Sequence, residues 1–103
     1  MNTQKTNKII IFAKEWFDRK NGNSYFAAKV ELENEILFIP FSYGYDDAYL
    51  HEAIALLIKK NYLPTTAQNA WMLKKYCDDN NIVLFYRIQR NCLKRELKQL
   101  VSN

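Results

Sequence analysis

One segment, residues 36–64 (ILFIPFSYGYDDAYLHEAIALLIKKNYLP), constrains the fold more than any other part of the chain. It begins with an apolar run of strand-forming residues that stops at Pro40, because proline cannot donate to a neighbouring strand. It continues with apolar side chains at helical spacing, which predict a helix from Asp47 to about Asn61. Pro64 prevents that helix from continuing. We therefore expect the residues before this segment to form strands that pair with it, and the residues after it to cover the sheet.

The corner between this strand and this helix, PFSYGY (residues 40–45), is rich in aromatic residues. Gly44 predicts a positive φ or a close approach of the backbone. Asp46 or Asp47 is expected to cap the helix by accepting from its free N–H groups. The aromatic residues around this corner, Phe41, Tyr43, Tyr45 and Tyr49, allow two interpretations. They either fill one end of the core or form an exposed patch that anchors a partner.

The N-terminal half is predicted to be a three-stranded antiparallel meander. Residues 8–17 are β-branched and aromatic, and residues 25–33 alternate between apolar and polar side chains. Asn21-Gly22 lies between them and is a strong signal for a tight hairpin turn. Glu33 to Glu35 predicts a second turn into the strand that begins at Ile36. Residues 1–7 are polar and are expected to fray.

The C-terminal half is predicted to contain a helix, a strand and a last helix. Thr65 and Gln68 suggest a capping box for a helix over about residues 66–77, and residues 82–89 predict a fourth strand. The last helix is expected to begin near Asn91 and to bury Leu93, Leu97, Leu100 and Val101. The order β-β-β-α-α-β-α predicts an α+β fold whose helices pack on one face of a mainly antiparallel sheet. A length of 103 residues fits a single domain.

The formal net charge of +4 is placed unevenly along the chain. Residues 1–86 contain equal numbers of basic and acidic residues, so the excess lies in the C-terminal segment, where Glu96 is the only acidic residue. The basic residues of this segment are Arg87, Arg90, Lys94, Arg95 and Lys98. They are expected to attract phosphates or an acidic protein surface, with Tyr86 available for stacking on a base. The alternative interpretation is a solvated helix face.

The sequence offers little support for catalysis or for a cofactor. His51 is the only histidine, and Cys77 and Cys92 lie too far apart for a CxxC metal site. The carboxylates Asp18, Asp46, Asp47 and Glu52 fit a hydrated Mg²⁺ in principle, but capping explains both aspartates of the corner more simply. We therefore expect a non-enzymatic protein without cofactor or metal. No signal peptide or membrane-spanning segment is evident, which favours the cytoplasm.

Two short motifs resemble those of small proteins of phages and other mobile elements. They are W-F-D-x-x-N-G-N-x-Y, from Trp16 to Tyr25, and P-F-x-Y-G-Y, from Pro40 to Tyr45. The resemblance covers about the first sixty residues and implies a setting more than an activity. Small proteins in this setting often bind and block a host machine, as anti-CRISPR proteins do.

Two functional hypotheses follow from the sequence. The first is a stoichiometric inhibitor, anti-CRISPR-like, that binds a host protein or ribonucleoprotein complex concerned with nucleic acids or defence. The second is a small nucleic-acid-binding protein that uses the basic C-terminal strand and helix. The residues expected to contact a partner are Tyr43, Tyr45, Tyr49, Arg87, Arg90, Lys94, Arg95 and Lys98.

Overall fold

A computed structural model describes residues 3–101 and contains four strands and three helices in the predicted order. The strands are β1 (Lys8–Asp18), β2 (Asn23–Glu31), β3 (Ile36–Tyr43) and β4 (Val83–Gln89). The helices are α1 (Ala48–Lys59), α2 (Ala70–Asp79) and α3 (Lys94–Leu100). The prediction of an α+β fold with the order β-β-β-α-α-β-α is therefore confirmed.

The four strands form one sheet with the order β3-β2-β1-β4. The first three are the expected antiparallel meander, in which β2 pairs with both β1 and β3. The fourth strand lies beside β1 and runs parallel to it, so that Lys8 is paired with Val83. A parallel neighbour requires a long crossover connection, and α1 and α2 supply it. As a result, β1 has a hydrogen-bonded neighbour on each side.

The prediction that all the helices share one face of the sheet is wrong for α3. Alternation along β2 places Phe26 and Ala28 on one face and Ala27 on the other, and all three side chains are buried. The larger cluster contains Phe26 and Ala28 together with the apolar stripes of α1 and α2. The smaller cluster contains Ala27, Cys92 and Leu97, so α3 covers the opposite face.

A β-bulge in β3 makes room for this second cluster. Phe26 is paired with Ser42 and Ala28 with Ile39, which leaves β3 with one extra residue in the interval that contains Pro40. Proline is tolerated there because a bulge already interrupts the ladder of hydrogen bonds. Phe41, which follows Pro40, packs against the smaller cluster.

The N-terminal ends of α1 and α2 differ from the predictions. Asp47 is the N-cap residue of α1, but its side chain makes no capping hydrogen bond. Its carboxylate instead lies 3.3 Å from Nε2 of His51, one turn further along. The second helix begins at Ala70 rather than near Thr66, because the side chain of Asn69 accepts a hydrogen bond of 2.9 Å from the backbone N–H of Met72.

The two ends of the described chain also differ from expectation. Residues 3–7 were expected to fray, yet the buried Thr6 hydroxyl donates to the Lys8 carbonyl at 2.8 Å and accepts from the Glu33 N–H at 2.9 Å. Residues 1–2 lie outside the described residues. In the last helix Leu97 is buried as predicted, but Leu93 is exposed, since it precedes the first helical residue.

The β1–β2 hairpin is confirmed, with a loop of four residues in place of a two-residue turn. Asp18 pairs with Asn23 across the loop, and the Gly22 N–H donates to the Asp18 carbonyl at 2.7 Å. Gly22 has φ of 68°, while Asn21 is not in the left-handed region. The Asp18 carboxylate accepts from the Asn21 side chain at 2.8 Å, and this hydrogen bond holds the pKa of Asp18 below its ordinary value.

We predict that Gly22→Val lowers the free energy of unfolding by about 1 kcal/mol or more, because a β-branched residue is strained at positive φ. The space around Gly22 is open, so a steric clash does not contribute. Gly22→Asn is the matched control, since asparagine tolerates this conformation, and it should cost clearly less. Urea denaturation measures both values. Equal stability of the valine variant and the wild type would contradict the prediction.

Both cysteines are free and buried, as expected for packing thiols. Burial raises the pKa of the Cys77 thiol to about 11, and burial also raises the pKa of Cys92. Both thiols are therefore protonated near pH 8. Because the thiolate is the reactive form, burial and protonation both lower the reactivity of the two thiols.

We expect Ellman's reagent at pH 8 to label neither cysteine of the native protein on the timescale of minutes. In 6 M guanidinium chloride, by contrast, two equivalents should react at once, because unfolding restores the ordinary pKa and removes the cover. Absorbance at 412 nm follows the reaction. Immediate reaction of two thiols in native buffer would show that this packing is wrong.

Candidate functional site

The corner after β3 is fixed in place by Gly44. Its N–H donates to the Ser24 carbonyl at 3.0 Å, which ties the corner to β2. A Cβ atom on this residue would lie 2.8 Å from Cβ of Ala48 and 3.0 Å from the ring of Phe26. The expected close approach of the backbone is therefore confirmed, and it leaves no room for a side chain.

The four aromatic residues of the corner divide between the two interpretations. Tyr43 and Tyr45 are 62% and 61% exposed, whereas Phe41 packs against the smaller cluster. Tyr49 is only 7% exposed and belongs to the larger cluster, and burial raises its pKa. Tyr49 was expected to contact a partner, but in this structure its ring is part of the core and is not available at the surface.

A stack of rings connects the corner with the hairpin. The β1–β2 register places Trp16 opposite Tyr25, with ring centroids 5.6 Å apart. Tyr25 also stacks on Phe41 at 4.9 Å, and its ring is T-shaped to that of Tyr43, with centroids 5.7 Å apart. Such arrangements hold rings in fixed orientations. Tyr43 therefore contacts this stack through Tyr25.

A cation of α3, Lys94, lies beside this stack of rings. Nζ of Lys94 lies 5.3 Å from the ring centroid of Trp16 and 5.8 Å from that of Phe41. Both distances are within the range in which a cation is attracted to a ring face. Tyr43, the stacked rings and Lys94 are connected by these contacts, and the exposed Tyr45 follows Tyr43 by two residues. We call this region the aromatic–cation surface; its members are Trp16, Tyr25, Phe41, Tyr43, Tyr45 and Lys94.

The predicted basic residues do not form an uninterrupted line. The guanidinium of Arg87 lies over the ring of Phe12, 5.1 Å from its centroid. Nη1 of Arg90 lies 2.8 Å from Oε2 of Glu15, whose carboxylate is almost fully buried. Arg95 and Lys98 are exposed on α3 and form no ion pair within residues 3–101. Arg90 therefore balances an internal charge, and the other four residues remain available.

Sequence reasoning missed Trp16, Tyr25 and Glu15 as parts of this region. The first two had a detectable signal, because residues at equal distances from a hairpin loop become cross-strand neighbours. No such signal exists for Glu15 and Arg90, which are 75 residues apart in the chain.

No cluster of three or more His, Cys, Asp or Glu side chains suited to a metal ion occurs among residues 3–101. In the same range no helix combines the length and the apolar character that a membrane crossing needs. Comparison with protein-family models, with curated proteins and with solved structures gives no match for this chain.

We predict that Arg90→Met lowers the free energy of unfolding by about 1 kcal/mol, because it leaves the Glu15 carboxylate without its partner. The effect is moderate, since the Arg90 side chain is about half exposed and water screens the pair. Glu15→Gln combined with Arg90→Met should cost less than the sum of the two single changes.

The matched control is Arg95→Met, which removes an exposed charge and should change stability by less than about 0.5 kcal/mol. Denaturant titrations of the four variants complete the comparison. If the double variant shows simple additivity, then the ion pair does not couple these two residues.

Proposed function

We propose that this protein acts in the cytoplasm by non-covalent, stoichiometric binding, as an inhibitor of a host complex that handles nucleic acids or serves in defence. The observation that carries the proposal is the exposure of Tyr43 and Tyr45 beside a fixed stack of rings. Tyrosine gives a large contact area at a low cost in conformational entropy, and it is enriched at sites that dominate binding energy. The choice of a host complex rests on the resemblance of both motifs to mobile-element proteins.

Charge supplies the second part of the proposed interface. Arg95 and Lys98 are exposed on α3, and Lys94 of the same helix belongs to the aromatic–cation surface. Positive charge at the edge of an interface mainly raises the association rate with an acidic or RNA-containing partner. The tyrosines would then slow dissociation, as buried aromatic anchors do.

Direct nucleic-acid binding by the C-terminal segment has weaker support. The segment was expected to offer a phosphate-binding line that includes Arg90, but this side chain is held by Glu15. The interruption separates Arg87 on β4 from the three cations of α3. A protein or ribonucleoprotein surface therefore suits this segment better than a bare phosphate backbone.

We expect the tagged protein to retain a host protein from lysate in a fixed molar ratio, identified by mass spectrometry. Tyr45→Ala should then accelerate dissociation roughly thirtyfold, which corresponds to about 2 kcal/mol for an anchoring ring. Arg95→Glu with Lys98→Glu should instead slow association, and more at low salt than at high salt. Surface plasmon resonance with the purified partner separates the two rates.

The control variant is Trp71→Ala, since Trp71 is the most exposed large hydrophobic side chain of α2 and lines a groove that contains no residue of the corner. It should leave both rates unchanged. The proposal fails if the protein retains no host protein, or if Trp71→Ala alone abolishes retention while Tyr43→Ala and Tyr45→Ala do not.

A further inference from the structure

The face of the sheet that carries α3 is covered only at one end. Near the hairpin loop α3 packs over Ala27 and Trp16, but no helix within residues 3–101 lies on the other end of the same face. Large apolar side chains are exposed there, including Phe38 at 36% and Phe85 at 54%. The remaining apolar members of this open half are Ile10, Phe12, Ile36 and Val83, of which the last two are exposed.

One row of side chains crosses all four strands of this open half. The register pairs Phe38 with Lys29, Lys29 with Phe12, and Phe12 with Arg87. Residues paired directly across strands project from the same face of a sheet. The row, which we call the phenylalanine–cation row, therefore alternates aromatic, cation, aromatic, cation from β3 to β4.

Local contacts hold the charges of this row in place. Arg87 lies over the ring of Phe12, and Nζ of Lys29 lies 3.5 Å from Oε1 of Glu31 on the same strand. Phe85 pairs with Ile10, so it stands diagonally beside Phe12. The spacing between strands of ~4.8 Å puts Phe12 and Phe38 ~10 Å apart, with Lys29 between them.

The size and charge of the open half disfavour a second copy of this chain as its occupant. The open half is three strand spacings wide and about four residues long, which gives a flat area of about 200 Å². Even twice that area is well below the ~800 Å² that each partner buries in a standard interface. The side chains that face outward include Lys8, Lys29 and Arg87 against Glu31 alone. Two copies face to face would bring like charges together, whereas an anionic partner is attracted.

The combination of rings and cations at this spacing matches the chemistry of a nucleic-acid strand. Aromatic side chains on an open sheet stack on unpaired bases, and neighbouring cations neutralise phosphates. A duplex does not fit, because its base faces are already stacked on each other. Glu33 and Glu35 lie beyond the row, in the turn between β2 and β3. Their negative charge repels phosphates, so the favourable path of a nucleic-acid backbone follows the row itself.

We propose that the open half of the sheet binds a short single-stranded nucleic acid, with bases stacked on the exposed rings of Phe38 and Phe85 and with phosphates held by Lys29 and Arg87. This goes beyond the proposed function, which uses the aromatic–cation surface at the other end of the molecule. The strand is recognised by stacking and charge, so the site has little sequence preference.

Fluorescence anisotropy with fluorescein-labelled rU12 and dT12 tests the proposal, with a 12-base-pair duplex as the comparison. The single strands should bind at least tenfold more tightly than the duplex. Phe38→Leu, which keeps an apolar strand residue but removes the ring, should weaken binding roughly fivefold or more. Lys29→Gln and Arg87→Gln should each reduce the slope of log K against log salt by ~0.7.

The matched control is Phe17→Leu, since Phe17 is exposed on β1 but lies outside the row. It should bind as the wild type does, and circular dichroism should show that every variant is folded. The proposal is overturned if no single strand binds at 100 µM protein, or if the duplex binds as tightly. It is equally overturned if Phe38→Leu and Phe17→Leu weaken oligonucleotide binding by the same factor. A further contrary result is that oligonucleotides do not bind, whereas Phe38→Leu abolishes self-association or the capture of a host protein.

Discussion

The register between β1 and β2 is the constraint on which both exposed surfaces depend. It is set by the loop in which Gly22 adopts a left-handed conformation and donates to the Asp18 carbonyl. A slip of one residue would move every side chain of a strand to the opposite face. The same register that stacks Trp16 on Tyr25 also places Phe12 beside Lys29. One loop therefore aligns the aromatic–cation surface and the phenylalanine–cation row at the same time.

The strands and helices were predictable because their signals are local. Alternation in β2, helical spacing in α1 and the Asn-Gly pair each act within a few residues. The sheet face on which α3 packs was not predictable. An apolar stripe shows that a helix packs against something apolar, but it does not identify which face of the sheet that is. Ala27 contained a weak hint, since a small residue between two inward-facing neighbours leaves space on the other face. The parallel pairing of β4 with β1 has no local signal at all.

The candidate site was predictable only in part, for similar reasons. Tyr43 ends β3 beyond the bulge, which interrupts the strand alternation, and Tyr45 lies between β3 and α1, where neither strand alternation nor helical spacing applies. Their exposure therefore could not be predicted from the sequence pattern. Tyr49, in contrast, could have been assigned to the core, because it lies one turn before the buried Ala53 of α1. The ion pair between Glu15 and Arg90 depends on tertiary structure alone.

The crossover between β3 and β4 also affects the order in which the molecule assembles. The meander of β1 to β3 closes short loops, whereas β4 must return to β1 across 75 residues of chain, and long loops cost more entropy to close. We therefore expect β4 and α3 to join last. These two elements supply Arg87 and Lys94, one to each exposed surface. An incomplete chain would thus present the β1–β3 rings of both surfaces without Lys94 and Arg87, with Lys29 as the remaining cation of the row. Recognition would then depend on the last residues to fold.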